Sequence, residues 1–203
     1  MAIQLRQPNA APKWLLILLS AGSIGVGSAL AQNSMDEPPG APVLALGVHG
    51  QSGGWLHNDR ISAHWVVLPS GRLGSLEIRD QQPDKAVERS LVLDPPFSIE
   101  FKETGVLRAS DLLVTGPASV EKLQPNSSAS RGSERLPGVT VHYQLADPGG
   151  RFHADWALTL RQDSSYIRQL LTITAGSVPL PLSGLVMIDV DAPGIAVTGT
   201  VKG

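Results

Sequence analysis

The stretch Phe152–Thr174 constrains this chain most, because it reads as a long β-hairpin. In Phe152-His153-Ala154-Asp155-Trp156-Ala157-Leu158-Thr159-Leu160-Arg161 apolar residues return at every second position. Phe152, Ala154, Trp156, Leu158 and Leu160 therefore share one face of a strand. Gln162-Asp163-Ser164-Ser165 supplies turn chemistry, since Asp and Ser side chains hydrogen-bond nearby backbone. The returning arm, Tyr166–Thr174, puts Ile167, Leu171 and Ile173 on one face, with Gln169 as a polar intruder. A two-stranded ribbon with one apolar face is not stable alone in water, so other strands must cover it.

The rest of the chain supplies candidates for that cover. Arg60–Leu68 and Leu73–Arg79 read as strands around Pro69-Ser70-Gly71, and Arg89–Leu93 and Phe97–Lys102 as strands around Asp94-Pro95-Pro96. Val139–Leu145 leads through Asp147-Pro148-Gly149-Gly150 into the hairpin. Val106–Val114 and Ala118–Leu123 are weaker strand candidates, and Pro125–Pro137 reads as an exposed loop. Leu182–Val190 is nearly all apolar, which predicts a strand buried on both faces or at a sheet centre. Ile195–Val201 starts a further strand. With 21 Gly and 16 Pro in 203 residues, turns are frequent and long helices disfavoured. The expected fold class is all-β, an antiparallel β-sandwich of the supersandwich kind spanning Trp55–Gly203. The chain closes on Gly199-Thr200-Val201-Lys202-Gly203, which reads as the middle of an element, so the sandwich is expected to be incomplete at its C-terminus.

The N-terminus has the plan of a secretory signal peptide. Arg6 and Lys13 form a positive region, Trp14–Leu19 starts a short apolar run, and Ala29-Leu30-Ala31 is an A-x-A cleavage site. Glycines and serines dilute the run before it reaches the roughly 20 apolar residues of a membrane span. Residues 1–31 are thus expected to be removed after Ala31, giving a secreted or periplasmic protein with no membrane attachment. Residues 32–54, with Asp36-Glu37-Pro38-Pro39-Gly40-Ala41-Pro42, read as a flexible Pro/Gly-rich tether. Loss of Arg6 and Lys13 from 16 basic residues against 18 acidic ones leaves a mildly acidic mature chain.

Composition narrows the chemistry. Charges of both signs are interspersed at a net -2, so nothing resembles a basic nucleic-acid footprint. Cysteine is absent, which excludes disulfides, thiolate metal sites and a cysteine nucleophile. The five histidines form no H-x-H or H-x-x-x-H pair, and neither P-loop, dinucleotide fingerprint nor G-x-S-x-G elbow is present. No metal and no cofactor are expected. Three weak catalytic candidates remain. His64 stands on the Arg60–Leu68 strand. His153 shares a strand face with Asp155, although a solvated strand face explains that pair more simply. Asp189 flanks Val190 with Asp191, although turns recruit Asp readily. Three residues suit ligand binding. Trp55, between Gly54 and Leu56, is the tryptophan best placed for exposure, whereas Trp156 belongs to the core. Tyr166 and Arg168 share a face and offer a ring and a planar donor fork, or else a cross-strand pair.

Asp163-Ser164-Ser165-Tyr166-Ile167-Arg168-Gln169-Leu170-Leu171-Thr172-Ile173 resembles the strand pattern D-G-x-Y-V-R-Q-x-L-x-L of galactose-mutarotase-like β-sandwich domains. Thr198–Gly203 is similar to a V-x-G-x-V-x-G-S-P segment of the same chains. The resemblance covers the last third of the sequence. It implies the N-terminal domain of exported, six-hairpin glycosidase-type bacterial proteins, whose acid and base lie in a downstream helical-barrel domain, so no catalytic residue carries over. The leading expectation is an exported, non-catalytic accessory domain of a glycoside-hydrolase-like protein, with carbohydrate and a downstream catalytic domain as partners. The alternatives are a stand-alone carbohydrate-binding module using Trp55, and a small mutarotase- or lyase-like enzyme using His64, His153 and Asp189.

Overall fold

A computed structural model describes residues 39–47, 53–81 and 90–190, together with the backbone of residues 4–5. The remainder of the expected signal segment, Asp191, the expected strand Ile195–Val201 and the closing Thr198–Gly203 motif lie outside the described residues. In chain order the strands are β1 (Gln4–Leu5), β2 (Val43–Leu46), β3 (Gly54–His57), β4 (Ile61–Val67), β5 (Leu73–Asp80), β6 (Ser90–Leu93) and β7 (Ser98–Phe101). They continue as β8 (Gly105–Arg108), β9 (Leu113–Val114), β10 (Ser119–Leu123), β11 (Gly138–Ala146), β12 (Phe152–Arg161), β13 (Arg168–Ala175) and β14 (Leu182–Val186). Among the described residues there is no α-helix, only short 3-10 turns at Ala109–Asp111 and Gly132–Arg135.

The protein is an all-β sandwich. The largest sheet runs β1-β13-β12-β11-β10, with β9 beside the end of β11. Among the described residues the other two sheets are a five-stranded one in the order β2-β3-β4-β5-β6 and a three-stranded one in the order β14-β7-β8. Every pairing among the described residues is antiparallel except that of Gln4–Leu5 with Thr172 and Ile173.

Alternation in β12 decides the packing. Phe152, Ala154, Trp156, Leu158 and Leu160 are all buried, and with Val141, Tyr143, Leu145, Leu171 and Ile173 they form the inner face of the large sheet. Opposite them lie Leu56, Ala63, Trp65, Leu76 and Leu93 from the five-stranded sheet and Ile99 and Phe101 from β7, in one continuous core. Its centre is aromatic. Tyr143 and Trp156 are cross-strand partners, and Trp65 meets both edge-on, with ring centroids 6.2 and 6.5 Å away. Each such aromatic pair adds about 0.5–1.5 kcal/mol beyond the area it buries.

The polar intruder Gln169 sits on this inner face and is satisfied there. Its Nε2 donates to Pro96 O at 2.9 Å and more weakly to Met187 O at 3.4 Å, so a side-chain amide stitches β13 to the opposite layer. The hairpin turn ends later than the sequence pattern predicts. Asp163 takes a left-handed conformation (φ 54), which Asp tolerates better than most residues. Ser164 Oγ then donates to Tyr166 O at 2.8 Å, holding Tyr166 in the turn, so β13 starts at Arg168.

Three further expectations are corrected. Leu182–Val190 is not a central strand: β14 spans Leu182–Val186, pairs with β7 at a sheet edge, and is only half-buried. Beyond β14 the run buries Met187 in the core and exposes Ile188, which is 63% accessible. Val106–Val114 is two strands, divided where Asp111 Oδ2 accepts the Arg108 N–H at 2.9 Å and Leu112 turns into the core. The stretch expected to be a tether contains β2, and Pro39 and Gly40 within it are held to the hairpin turn. Gln162 Nε2 donates to Pro39 O and Asp163 N to Gly40 O, both at 3.1 Å. The sequence Val43-Leu44-Ala45-Leu46 is apolar enough to pair with β3 and half-bury Leu44 on the core.

Candidate functional site

The outer face of the five-stranded sheet presents the clearest candidate. In β3 the alternation Gly54, Trp55, Leu56, His57 turns Leu56 inward and Trp55 outward, where Trp55 is 47% accessible. Register then sets its neighbours. Ala45, Trp55, His64, Glu77 and Val92 form one row across β2 to β6. The indole meets the His57 ring edge-to-face at 5.7 Å and the His64 ring at 6.3 Å. Two strands from Trp55, Glu77 is locked in a two-pronged pair with Arg79, at 2.8 and 3.1 Å. An exposed ring thus lies among imidazole, carboxylate and guanidinium groups. Such a surface can pack an apolar ring face while hydrogen-bonding the polar groups around that ring's edge.

The other sequence candidates do not join it. His153 is exposed on the outer face of the large sheet, beside Ala146 and Thr174. The inner faces of both sheets, about 10 Å apart at their usual spacing, separate it from His64, so the two histidines cannot meet on one substrate. Asp189 is exposed beyond β14, and its expected companion Asp191 is outside the described residues. Tyr166 is 49% exposed and Arg168 half-buried, and both line one cavity. Arg168 stands opposite Thr159 of β12 and finds its carboxylate in Glu134 of the second 3-10 turn, with Nη1–Oε1 at 3.7 Å.

Sequence reading paired Asp155 with His153, but the carboxylate is used differently. Asp155 Oδ1 lies 3.0 Å from His142 Nδ1, and Gln144 Nε2 donates to Asp155 Oδ2. His142 Nε2 is 3.7 Å from Glu121, so a chain of polar groups crosses β10, β11 and β12. The signal that finds this chain is the register set by the Asp147–Gly150 turn, which places Ala146 opposite His153 and hence Gln144 opposite Asp155. Among the described residues no three His, Asp or Glu side chains are arranged to hold a metal ion.

Acidity is displaced at the β11–β12 turn and in the core. The Arg151 guanidinium, bonded to both Asp147 oxygens, holds that carboxyl below the usual carboxylate range, and burial pushes the Tyr143 phenol up. Asp147 closes the β11–β12 turn and Tyr143 belongs to the core, so both are structural.

No family model, curated protein or solved structure matches the chain.

Proposed function

We propose that this chain is a non-catalytic β-sandwich, the N-terminal accessory domain of an exported carbohydrate-active protein, and that it presents Trp55 to saccharide. The exposed indole flanked by His57 and His64 carries the reading. A pyranose has an apolar C–H face that fits an indole and equatorial hydroxyls that fit the surrounding imidazoles and the Glu77 carboxylate. The separation of His64, His153 and Asp189 onto different surfaces favours binding over catalysis. The galactose-mutarotase-like pattern at Asp163–Ile173 and the secretory plan of residues 1–31 agree with it.

The test is binding of neutral oligosaccharides, by glycan array and then calorimetry on the best hit. Trp55→Ala abolishes binding on this reading and leaves the unfolding midpoint unchanged, because the ring is outside the core. Binding that survives Trp55→Ala sinks it. Export is checked separately, by a mature N-terminus at Gln32.

A further inference from the structure

The cavity that Tyr166 and Arg168 line is a second candidate site, independent of the saccharide reading. Its volume is about 420 Å³, inside the roughly 300–1,000 Å³ typical of small-molecule sites. Its wall is apolar, with Ile78 and Leu91 from the five-stranded sheet facing Ile167 and Met187. Arg131 and Arg168 lie on the same cavity, beside Tyr166.

Charge is unbalanced there. Both guanidiniums reach the same oxygen of Glu134, Arg131 at 3.8 Å and Arg168 at 3.7 Å. Among the described residues Glu134 is the one carboxylate that meets either of them. At these distances neither pair is a tight hydrogen bond. Two cations sharing one loosely held anion leave a positive charge at the rim of an apolar cavity.

We propose that this cavity binds a small monocarboxylate with an apolar body, its chain or ring against Leu91 and Met187 and its carboxylate on Arg168 and Arg131. A carboxylate can take a guanidinium in the two-pronged geometry that Glu134 does not reach. An apolar cation meets the same wall and the wrong charge.

The test uses octanoate titrated into the purified chain by calorimetry, with octyltrimethylammonium as the probe of matched tail and opposite charge. Octanoate binds saturably at one site and the cation does not. Arg168→Gln weakens octanoate by about tenfold, the worth of one charge-assisted hydrogen bond. Glu134→Gln removes the competing carboxylate and tightens octanoate severalfold, a gain that a merely structural role would not produce. Should Arg168→Gln fail to fold by circular dichroism, Arg131→Gln, on a more exposed side chain, reads the same charge. Equal binding of both probes, no saturable octanoate binding, or an affinity indifferent to Arg168→Gln (Arg131→Gln should that variant not fold) and to Glu134→Gln overturns the proposal. Trp55→Ala leaves octanoate affinity unchanged, so failure here and failure of the saccharide reading are told apart.

Discussion

Trp65 lies directly over Gly54. The two are cross-strand partners in β3 and β4, and a Cβ built on residue 54 would stand 2.5 Å from Trp65 Cζ2. A glycine inside a strand ordinarily weakens it, so alanine there would normally help. Here the missing Cβ makes room for the indole that packs on Tyr143 and Trp156.

Gly54→Ala should therefore destabilise the protein by about 1–3 kcal/mol, the range for overpacking a well-filled core. Urea unfolding followed by tryptophan fluorescence measures it. Gly132→Ala is the control, since nothing lies within 4 Å of the added methyl, and it should stay within about 0.5 kcal/mol of the parent. Equal effects at the two sites would refute the account of Gly54.

Asn58 gives a second prediction. It is 3% accessible and satisfied on both sides. Oδ1 accepts from Arg60 N and Ile61 N at 2.9 and 3.0 Å, and Nδ2 donates to Arg161 O and Ser164 O at 3.2 and 2.9 Å. One amide thus shapes the β3–β4 turn and ties it to the β12–β13 turn. Asn58→Ala should cost about 2–3 kcal/mol, because buried backbone groups lose their partners. Asn58→Asp should be at least as damaging, since it points a carboxylate oxygen at two carbonyls. A thermal melt in which Asn58→Asp matches the parent would show that the donated bonds do not matter.

Legibility in the sequence followed the range of the interaction. The first hairpin arm was readable to its ends, Phe152 and Arg161, because alternation is local and one face is wholly buried. Leu182–Val190 misled because apolar composition does not distinguish a sheet centre from an edge whose side chains half-cover a core. Trp55 was readable as exposed from its neighbours. The His142–Asp155 contact was not, because it depends on register between β11 and β12, and the cavity beside Arg168 depends on elements far apart in the chain. Asn58 offered no local sign that two of its partners, Arg161 O and Ser164 O, lie more than a hundred residues away.

The His142–Asp155 pair should show coupling of about 0.2–1 kcal/mol, the range for exposed or partly exposed ion pairs. A double-mutant cycle with His142→Ala and Asp155→Ala measures it in low salt. Coupling should shrink in 1 M salt, where the Debye length is about 3 Å. A cycle that closes to zero in low salt would reduce the contact to a coincidence of register.

Asp147 sets the acid limb of stability. Its side chain is 2% accessible, and Arg151 bonds it through Nε at 2.6 Å and Nη2 at 3.0 Å. The Arg151 bonds lower the folded carboxyl below its unfolded value, so the unfolded chain binds the proton more readily. The stabilisation is therefore complete above the unfolded value, about 3.9 for aspartate, and is lost as pH falls through the lower folded value. Asp147→Asn should cost about 1–2 kcal/mol at pH 7, less than a fully buried charged bond because Arg151 is 39% accessible. The gap to the parent should hold from pH 7 to about 5 and narrow once the pH falls below the unfolded value. Urea midpoints from pH 7 into the acid range decide it: a gap that never narrows below the unfolded value would mean that Asp147 acts through shape and not through its charge.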